Sequence, residues 1–212
     1  MPPRITMPNA MLQTPNFDIE NEYPNIIVAG TDEAGRGPLC GPVVAAAVIF
    51  PARQNACPTI NDSKKLSKAQ RERAYDWITK NTIWATGQCS AEEIDDINIL
   101  EASLLAMKRA ITGLSKRPDF VLVDGNKMPN GIQGRAVVKG DSKSMSIAAA
   151  SIIAKVSRDR IMDELSREFP NYGWDRNAGY PTAAHVEAIR RHGITPHHRK
   201  TFQPVKDLLA YQ

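Results

Sequence analysis

Short runs rich in valine and isoleucine alternate with longer segments of helical periodicity along most of this 212-residue sequence. Apolar runs of this length, bounded by glycine and polar residues, predict strands. The predicted strands are Ile26–Gly30, Val43–Phe50, Thr82–Ser90, Phe120–Gly125 and Gly134–Asp141. Because helical segments separate several of them, the order predicts an α/β domain with a mixed central sheet flanked by helices.

The helical segments carry their own start signals and packing faces. Ser67 predicts the N-cap of a helix over residues 68–80. Segment 90–114 predicts one broken helix or two consecutive helices that end near Gly113. Segment 142–169 predicts a long helix whose small-residue face would let it lie close against a sheet; that face is Ala148, Ala149, Ala150 and Ala154. Two shorter helices are predicted at the end of the chain, within 181–193 and 202–210.

Residues 1–24 differ from this pattern. They are rich in proline, contain acids and lack periodicity, which predicts a flexible N-terminal tail. They also lack an apolar core of the kind found in secretory signals, and no run in the chain approaches the roughly 18 apolar residues of a membrane span. The three cysteines are widely spaced, which fits a reducing cytoplasm better than structural disulfides; they are Cys40, Cys57 and Cys89.

Net charge is the next constraint on function. The sequence has 27 Lys and Arg residues against 23 Asp and Glu residues, and its pI is about 9.0. Basic residues cluster in segment 62–73 and again in segment 190–200. This distribution is compatible with an ordinary basic protein, and it also suits a polyanionic partner such as nucleic acid.

Four acidic residues stand at or just after predicted strands: Asp32, Glu33, Asp124 and Asp141. If those strands are neighbours, the four carboxylates converge at one edge of the sheet. Asp beside Gly is also a common turn signature, so each acid taken alone has a structural explanation. Adjacent residues of a regular strand point to opposite faces. Asp32 and Glu33 therefore share a site only if the strand ends or bends there, which Gly35 and Gly37 would allow.

Convergent carboxylates constrain the chemistry of such a site. Like charges a few ångströms apart raise one another's pKa, so several carboxylates stay ionised together only with compensating cations. All-oxygen ligands suit Mg²⁺ or Mn²⁺ and do not suit zinc. Two such ions could hold an attacking water and a leaving oxygen on one phosphate. The acids therefore predict phosphodiester chemistry, with the basic clusters gripping the phosphate backbone.

Five motifs in order resemble type 2 ribonuclease H, specifically bacterial ribonuclease HII, over about residues 26–205. They are GTDEAGRGPLCGPVVAAAV, NDSKKLS, VLVDGNK, VVKGDSKSMSIAAASIIAKVSRDR and AGYPTAAHVEAIRRHGITPHHRKTFQPV. The resemblance implies a ribonuclease H-like fold. It also implies endonucleolytic cleavage of the RNA strand in RNA–DNA hybrids and incision 5′ of single ribonucleotides in duplex DNA. The implied products carry a 5′-phosphate and a 3′-hydroxyl, formed with two divalent ions, Mg²⁺ or Mn²⁺.

The resemblance also implies roles for individual residues. The family's catalytic, metal-binding carboxylates correspond to Asp32, Glu33 and Asp124, and a fourth acid corresponds to Asp141. The family's substrate-binding residues correspond to Gly35, Arg36, Gly37, Lys64 and Tyr180. Glycines let the main chain approach a ribose closely, and the 2′-hydroxyl is the group that separates RNA from DNA. A bare loop beside the metal site could therefore sense that hydroxyl.

The implied organisation has three parts: a flexible tail over 1–24, a ribonuclease H-like catalytic domain over 25–180, and a C-terminal helical extension over 181–212. We expect a cytoplasmic monomer that binds RNA–DNA hybrids and ribonucleotide-containing DNA and has no contact with membranes.

Several alternatives stay open at this point. Asp159 could be the fourth acid, but Lys155 one turn earlier makes a helix ion pair the better interpretation. Another metal-dependent nuclease, such as a resolvase, would share the carboxylates, and a non-catalytic hybrid-binding module is the rival from another class. No cysteine lies near the histidines in the sequence to suggest a zinc site. They are therefore interpreted as surface or phosphate-proximal residues; they are His185, His192, His197 and His198.

Overall fold

Five strands form one mixed sheet in a computed structural model of the chain, which describes residues 14–53 and 59–210. The strands are β1 (Val28–Ala34), β2 (Val43–Ile49), β3 (Ile83–Cys89), β4 (Phe120–Asp124) and β5 (Gly134–Val137). Their order across the sheet is β3-β2-β1-β4-β5. The β1–β2 and β2–β3 pairs are antiparallel, whereas the β1–β4 and β4–β5 pairs are parallel. The predicted α/β fold with a mixed sheet is confirmed.

Helices cover both faces of this sheet. They are α1 (Asp18–Asn21), α2 (Lys68–Asn81), α3 (Ala91–Thr112), α4 (Met145–Glu168), α5 (Trp174–Asn177), α6 (Ala183–His192) and α7 (Val205–Ala210). Strand β2 shows the layering, because its side chains alternate between two cores. Ala45 and Ala47 pack in the core that contains α3 residues, and Ala46 and Val48 pack in the core that contains α4 residues. The strand is consequently apolar along its whole length.

Helix α4 lies close against the sheet, as its alanines predict. Ala148, Ala149, Ala150 and Ala154 are all fully buried. On the sheet side, a Cβ at Gly30 would lie 2.3 Å from the backbone of Ile147. Small residues on both surfaces therefore allow a backbone-to-backbone approach that larger side chains would prevent.

Local signals set the ends of α2 and α3. Ser67 and Ser90 each form a capping box with the residue three positions later, which satisfies amides of the first turn. Helix α3 is broken at Asn98, where φ is 67°. The Asn98 carboxamide oxygen accepts hydrogen bonds from the amides of Leu100 and Glu101, so it caps the second half. The prediction of one broken helix or two consecutive helices is confirmed.

Residues 14–24 depart from the predicted flexible tail. They contain α1, and the backbone of Asn16 pairs with the Lys143–Met145 segment. The buried Glu20 carboxylate accepts hydrogen bonds from Ser144 and Ser146 at the start of α4. This acid sits at the positive end of the α4 dipole, which stabilises its charge. Residues 1–13 and Cys57 lie outside the described residues, and the three-part division of the chain stays a prediction.

The C-terminal segments form a third core with the loop that follows β1. Leu39 and Cys40 from that loop pack with Trp174, Ile189 and Val205. Helices α6 and α7 correspond to the two predicted C-terminal helices. Cys40 and Cys89 are buried free thiols. None of the helices within residues 14–53 and 59–210 is both long and apolar enough to cross a membrane.

Candidate active site

The four predicted acids meet at one edge of the sheet. Asp32 lies near the end of β1 and Asp124 is the last residue of β4, its parallel neighbour. Asp141 lies in a 3₁₀ turn, Gly140–Ser142, beyond the end of β5 and not on the strand itself as the sequence suggested. The Gly140 amide donates to Oδ1 of Asp124 at 2.7 Å, which joins this turn to β4. The parallel β1–β4–β5 arrangement is what brings these acids together.

Strand β1 continues through both acids of the Asp32–Glu33 pair. We predicted a strand over Ile26–Gly30, and an end or bend of the chain at Asp32 and Glu33. Instead β1 runs to Ala34, and Asp32 and Glu33 pair with consecutive residues of β2. The two side chains nevertheless line the same cleft of about 220 Å³. The Glu33 amide donates to Oδ1 of Asp32 at 2.7 Å. Because the strand stops directly after Ala34, both carboxylates reach the cleft from its last residues.

Burial and neighbouring charges both raise the pKa values of acids in this group. Burial raises the pKa of Asp32 well above its ordinary value, and the nearby Glu33 and Asp124 raise it further. Burial also raises the pKa of Glu33, although Arg36 opposes this with an ion pair at 3.3 Å. The pKa of Asp141 is raised by burial and then by Asp124. Asp124 therefore acts on Asp32, Glu33 and Asp141 alike, which places the four acids in one electrostatic neighbourhood.

Lys64 is a second cation beside this group. Its Nζ lies 4.0 Å from Oδ2 of Asp141, and its side chain is 84% exposed. Partial burial alone would lower the pKa of Lys64, but four carboxylates together raise it; they are Asp141, Asp32, Asp62 and Asp124. Asp62 also caps the turn by accepting from the Lys64 amide at 2.9 Å. Lys64 is thus an exposed lysine at the rim of the acidic site.

The donor set of the acidic site fits a hard divalent cation. All four side chains offer carboxylate oxygens, which Mg²⁺ and Mn²⁺ prefer. Arg36 and Lys64 pair with two of these acids. Burial first, and then the charges of Glu33 and Asp124, raise the pKa of Asp32, and a bound divalent ion would oppose both effects.

The second wall of the cleft is formed by Gly35, Arg36 and Gly37 together with Tyr180. These three residues begin a segment that we call the glycine loop, residues 35–41. Gly35 has φ of 96°, a conformation that strongly favours glycine. A Cβ at Gly37 would lie 3.6 Å from the Tyr180 ring, so the bare loop and the ring face each other. Tyr180 is 43% exposed, which leaves its ring free to pack against a ligand.

Helix α4 contributes three cleft residues that the sequence analysis did not assign to the site: Ser151, Lys155 and Arg158. The Ser151 hydroxyl helps to hold Asp32 in its ionised form and hydrogen-bonds Ser63 at 2.8 Å. Lys155 pairs with Asp159 at 2.7 Å, so the predicted helix ion pair is present. The spacing i, i+4, i+7 of polar residues on a mostly apolar helix was the signal that could have found them.

Two of the four histidines contradict the prediction of surface positions. His185 and His198 are buried, and Cys40, remote in sequence, lies beside them in space. Their ligand atoms lie within 4.8 Å of one another. The ring nitrogens already have protein partners, however: Trp174 donates to Nε2 of His185, and the Thr195 amide donates to Nδ1 of His198. Burial lowers the pKa of His185, and it lowers that of His198 to about 4. The cluster is therefore a network of neutral imidazoles.

The sheet order and the carboxylates at the ends of β1 and β4 define the ribonuclease H-like class of metal-dependent nucleases. A sequence model of the family described as Ribonuclease HII matches residues 29–205. The chain therefore belongs to the ribonuclease HII family. It is a metal-dependent type 2 ribonuclease H, an endonuclease that acts on RNA–DNA hybrids.

Relatives and solved structures agree with this family. The chain is 55% identical to Ribonuclease HII of Magnetococcus marinus over 188 residues, which cover 87% of this chain and 88% of that protein. It is 56% identical to Ribonuclease HII of Pelagibacter ubique over 187 residues, covering 86% and 99% respectively. The crystal structure of ribonuclease H2 from Pyrococcus horikoshii matches with a TM-score of 0.72 at 27% identity, over 88% of this chain and 98% of that one. Bst-RNase HIII, solved in complex with Mn²⁺, shares the fold with a TM-score of 0.72 at 20% identity, covering 97% and 74%.

Proposed function

We propose that the protein incises duplex DNA on the 5′ side of a single embedded ribonucleotide, in addition to cutting the RNA strand of hybrids. One observation carries this proposal: a single cleft is lined by Asp32 and Glu33 and also by the glycine loop and Tyr180. The acidic wall supports hydrolysis of a phosphodiester. The bare wall supports close contact with one ribose. A nuclease that read only backbone phosphates would have no need of the second wall.

The acidic wall would hold two divalent ions, Mg²⁺ or Mn²⁺, through Asp32, Glu33, Asp124 and Asp141. When bound, such ions supply an activated water and stabilise a departing oxygen, giving a 5′-phosphate and a 3′-hydroxyl. The chain's own part is to fix the ligands. The Glu33 amide orients Asp32, and the Gly140 amide orients Asp124. Two of the four carboxylates, Asp32 and Asp124, are thus held by backbone donors.

The remaining predicted residues would position the substrate strand. Lys64 and Arg36 carry exposed cations at the rim of the cleft, suited to the phosphates that flank the cut. Gly37 and Tyr180 line the same cleft close to each other, so one sugar of the substrate could contact both. The Tyr180 ring would pack on the adjoining deoxyribose, with its hydroxyl available for a hydrogen bond.

The test is cleavage of a labelled duplex with one embedded ribonucleotide, with Mg²⁺, with Mn²⁺ and in EDTA. We expect one product end, 5′ of the ribonucleotide, only when a divalent ion is present. Asp32→Asn should retain duplex binding and lose turnover by about three orders of magnitude or more. The matched control is Asp163→Asn, which removes a carboxylate on α4 whose partner is the exposed Lys68, away from the cleft.

Two results would contradict the proposal. Equal binding and cleavage in EDTA would exclude a metal-dependent reaction. Cleavage of uniform hybrids with no incision at a single ribonucleotide would leave the hybrid activity standing and remove the proposed recognition of one ribose.

A further inference from the structure

Two buried arginines hold the glycine loop without the help of any carboxylate. Arg199 is 0% exposed and Arg158 is 1% exposed. Neither takes part in any ion pair within the described part of the chain. A buried guanidinium without a counter-ion is tolerated only when its donors are satisfied by well-placed acceptors. The identity of those acceptors is therefore informative.

All five N–H donors of Arg199 bond to carbonyls of the glycine loop. Nη2 donates to Gly35 at 2.6 Å and to Gly41 at 2.9 Å, and Nε also donates to Gly41, at 3.2 Å. Nη1 donates to Arg36 at 2.9 Å and to Pro38 at 2.8 Å. Four carbonyls of one seven-residue loop thus converge on a single side chain. Burial and the neighbouring Arg158 lower the pKa of Arg199 to about 9, which still leaves it charged at neutral pH.

The convergence of carbonyls dictates where the loop's amides point. In a trans peptide the C=O and the following N–H point in opposite directions. Because the carbonyls of Gly35 and Arg36 face Arg199, the amides of Arg36 and Gly37 face away from it. Both residues are exposed, and neither amide has a protein acceptor among the described residues. Consecutive N–H groups turned the same way form a concave donor surface for an oxygen ligand.

Arg158 extends the same arrangement to the segment that carries Tyr180. Its guanidinium donates to the carbonyls of Cys40, Pro42 and Ala178 at 3.0 to 3.1 Å. The Leu39 amide donates to Gly179 at 2.8 Å. The loop amides and the Tyr180 ring are therefore fixed relative to each other from inside the protein.

We propose that Arg199, assisted by Arg158, is a positioning residue that presents the amides of Arg36 and Gly37 to an oxygen acceptor on the substrate strand. The acceptor is a ribose 2′-hydroxyl or a backbone phosphate, which share the same chemistry toward an N–H donor. Arg199 itself touches no substrate. This inference rests on the proposed function, because it assigns the physical basis of ribose recognition to the same cleft.

The experiment compares the wild type with Arg199→Lys, which keeps the positive charge and has three donors in place of five. Binding is measured by fluorescence anisotropy in EDTA, with an all-DNA duplex and a matched duplex containing one ribonucleotide. We expect Arg199→Lys to weaken binding about tenfold, the effect of one or two misplaced hydrogen bonds. Weakening confined to the ribonucleotide duplex identifies the 2′-hydroxyl as the acceptor, and equal weakening of both duplexes identifies a phosphate.

Arg53→Lys is the matched control. Arg53 also donates to three backbone carbonyls, those of Glu20, Tyr23 and Ile26, but it does not line the cleft. It should lose stability and keep both affinities. If Arg199→Lys is unfolded at the assay temperature, Arg158→Lys, with its three carbonyl contacts, takes its place and should weaken binding in the same direction.

A measurement on the wild type completes the test. In ¹⁵N-resolved NMR spectra, the amides of Arg36 and Gly37 should shift when the ribonucleotide duplex is added. Unshifted amides, or unchanged affinities in a folded Arg199→Lys variant, would overturn the inference even if the wild type incises at single ribonucleotides. Failure of the wild type to incise there would instead overturn the proposed function.

Discussion

Gly35 and Gly37 lie two residues apart in the glycine loop, yet the structure predicts opposite consequences for the same Gly→Ala change. At Gly37 an added Cβ meets nothing closer than the Tyr180 ring at 3.6 Å, which is an ordinary contact, and φ is not in the left-handed region. At Gly35 the Cβ would lie 2.1 Å from Nε of the buried Arg158, and φ is 96°. One substitution therefore tests function, and the other tests the fold.

The magnitudes follow from these contacts. Gly35→Ala adds roughly 1–2 kcal/mol for the left-handed backbone and must displace a hydrogen-bonded guanidinium, so we expect about 3 kcal/mol in total. For a chain of this size that lowers Tm by roughly 6–12 °C. Gly37→Ala should change the free energy of unfolding by less than about 0.5 kcal/mol. Its methyl group stands in the gap that a ribose would enter, so kcat/KM on a single-ribonucleotide duplex should fall roughly 10- to 100-fold.

Thermal melting and single-turnover cleavage of the same preparations check both expectations. The reasoning would be refuted if Gly37→Ala cleaved at the native rate, because the bare backbone would then be dispensable for recognition. It would also be refuted if Gly37→Ala melted as early as Gly35→Ala, because the effect on cleavage would then be one of folding.

Three further predictions concern other parts of the molecule. Glu20→Ala should lower the free energy of unfolding by about 3 kcal/mol, because it leaves buried donors of Ser144 and Ser146 unpaired. Glu20→Gln keeps an acceptor oxygen and should have a Tm closer to that of the wild type. Equal Tm values for the two variants would contradict this prediction. His198 is held neutral with its pKa lowered to about 4, so the folded state binds fewer protons than the unfolded state, and its contribution to stability is present above pH 6.5 and lost as pH falls toward 4. The free energy of unfolding can be measured by denaturant titration at pH 7 and at pH 4.5. Its decrease between these two pH values should be smaller in His198→Gln than in the wild type, by up to about 3 kcal/mol. An equal decrease in both proteins would argue against a buried neutral imidazole. Tyr180→Phe should leave Tm unchanged, since the side chain is 43% exposed. It should reduce cleavage at a single ribonucleotide more than cleavage of a uniform hybrid. An equal loss of cleavage rate on both substrates would assign Tyr180 a purely structural role.

Features encoded over short distances were predictable from the sequence. Ser67 marks the start of α2 because its capping box is formed by residues close in sequence. The alanines of α4 predict its close approach to the sheet. The convergence of Asp32 with Asp124 was predictable for a related reason. Parallel strands place their ends at the same edge, so a carboxylate at each end implies a shared site.

Features that depend on long-range partners were not predictable. Segment 14–24 has the composition of a tail, but Glu20 finds its donors at Ser144 and Ser146, more than a hundred residues later. The burial of His185 and His198 was not predictable either. Cys40, which lies beside them, is distant in sequence, and a tryptophan such as Trp174 does not by itself indicate a histidine partner. No local pattern marks a residue whose partners are backbone carbonyls or atoms on another element.

In the described part of the chain, acids and buried arginines lie around the same glycine loop without pairing with each other. Within residues 14–53 and 59–210, a cluster of acids and two buried arginines that form no ion pair both adjoin the same short loop. If Arg199 paired directly with Asp32 or Glu33, the site would be neutral and would have little affinity for a divalent ion. Carbonyls satisfy the arginines instead, so these two cations leave the carboxylates unpaired with them, as the proposed metal binding requires. The same peptides turn their N–H ends outward, which gives the loop a partly positive face beside an acidic site. On the proposed function, a polyanionic strand could then approach carboxylates that would otherwise repel it, and the metal and the loop amides would contact neighbouring parts of one nucleotide.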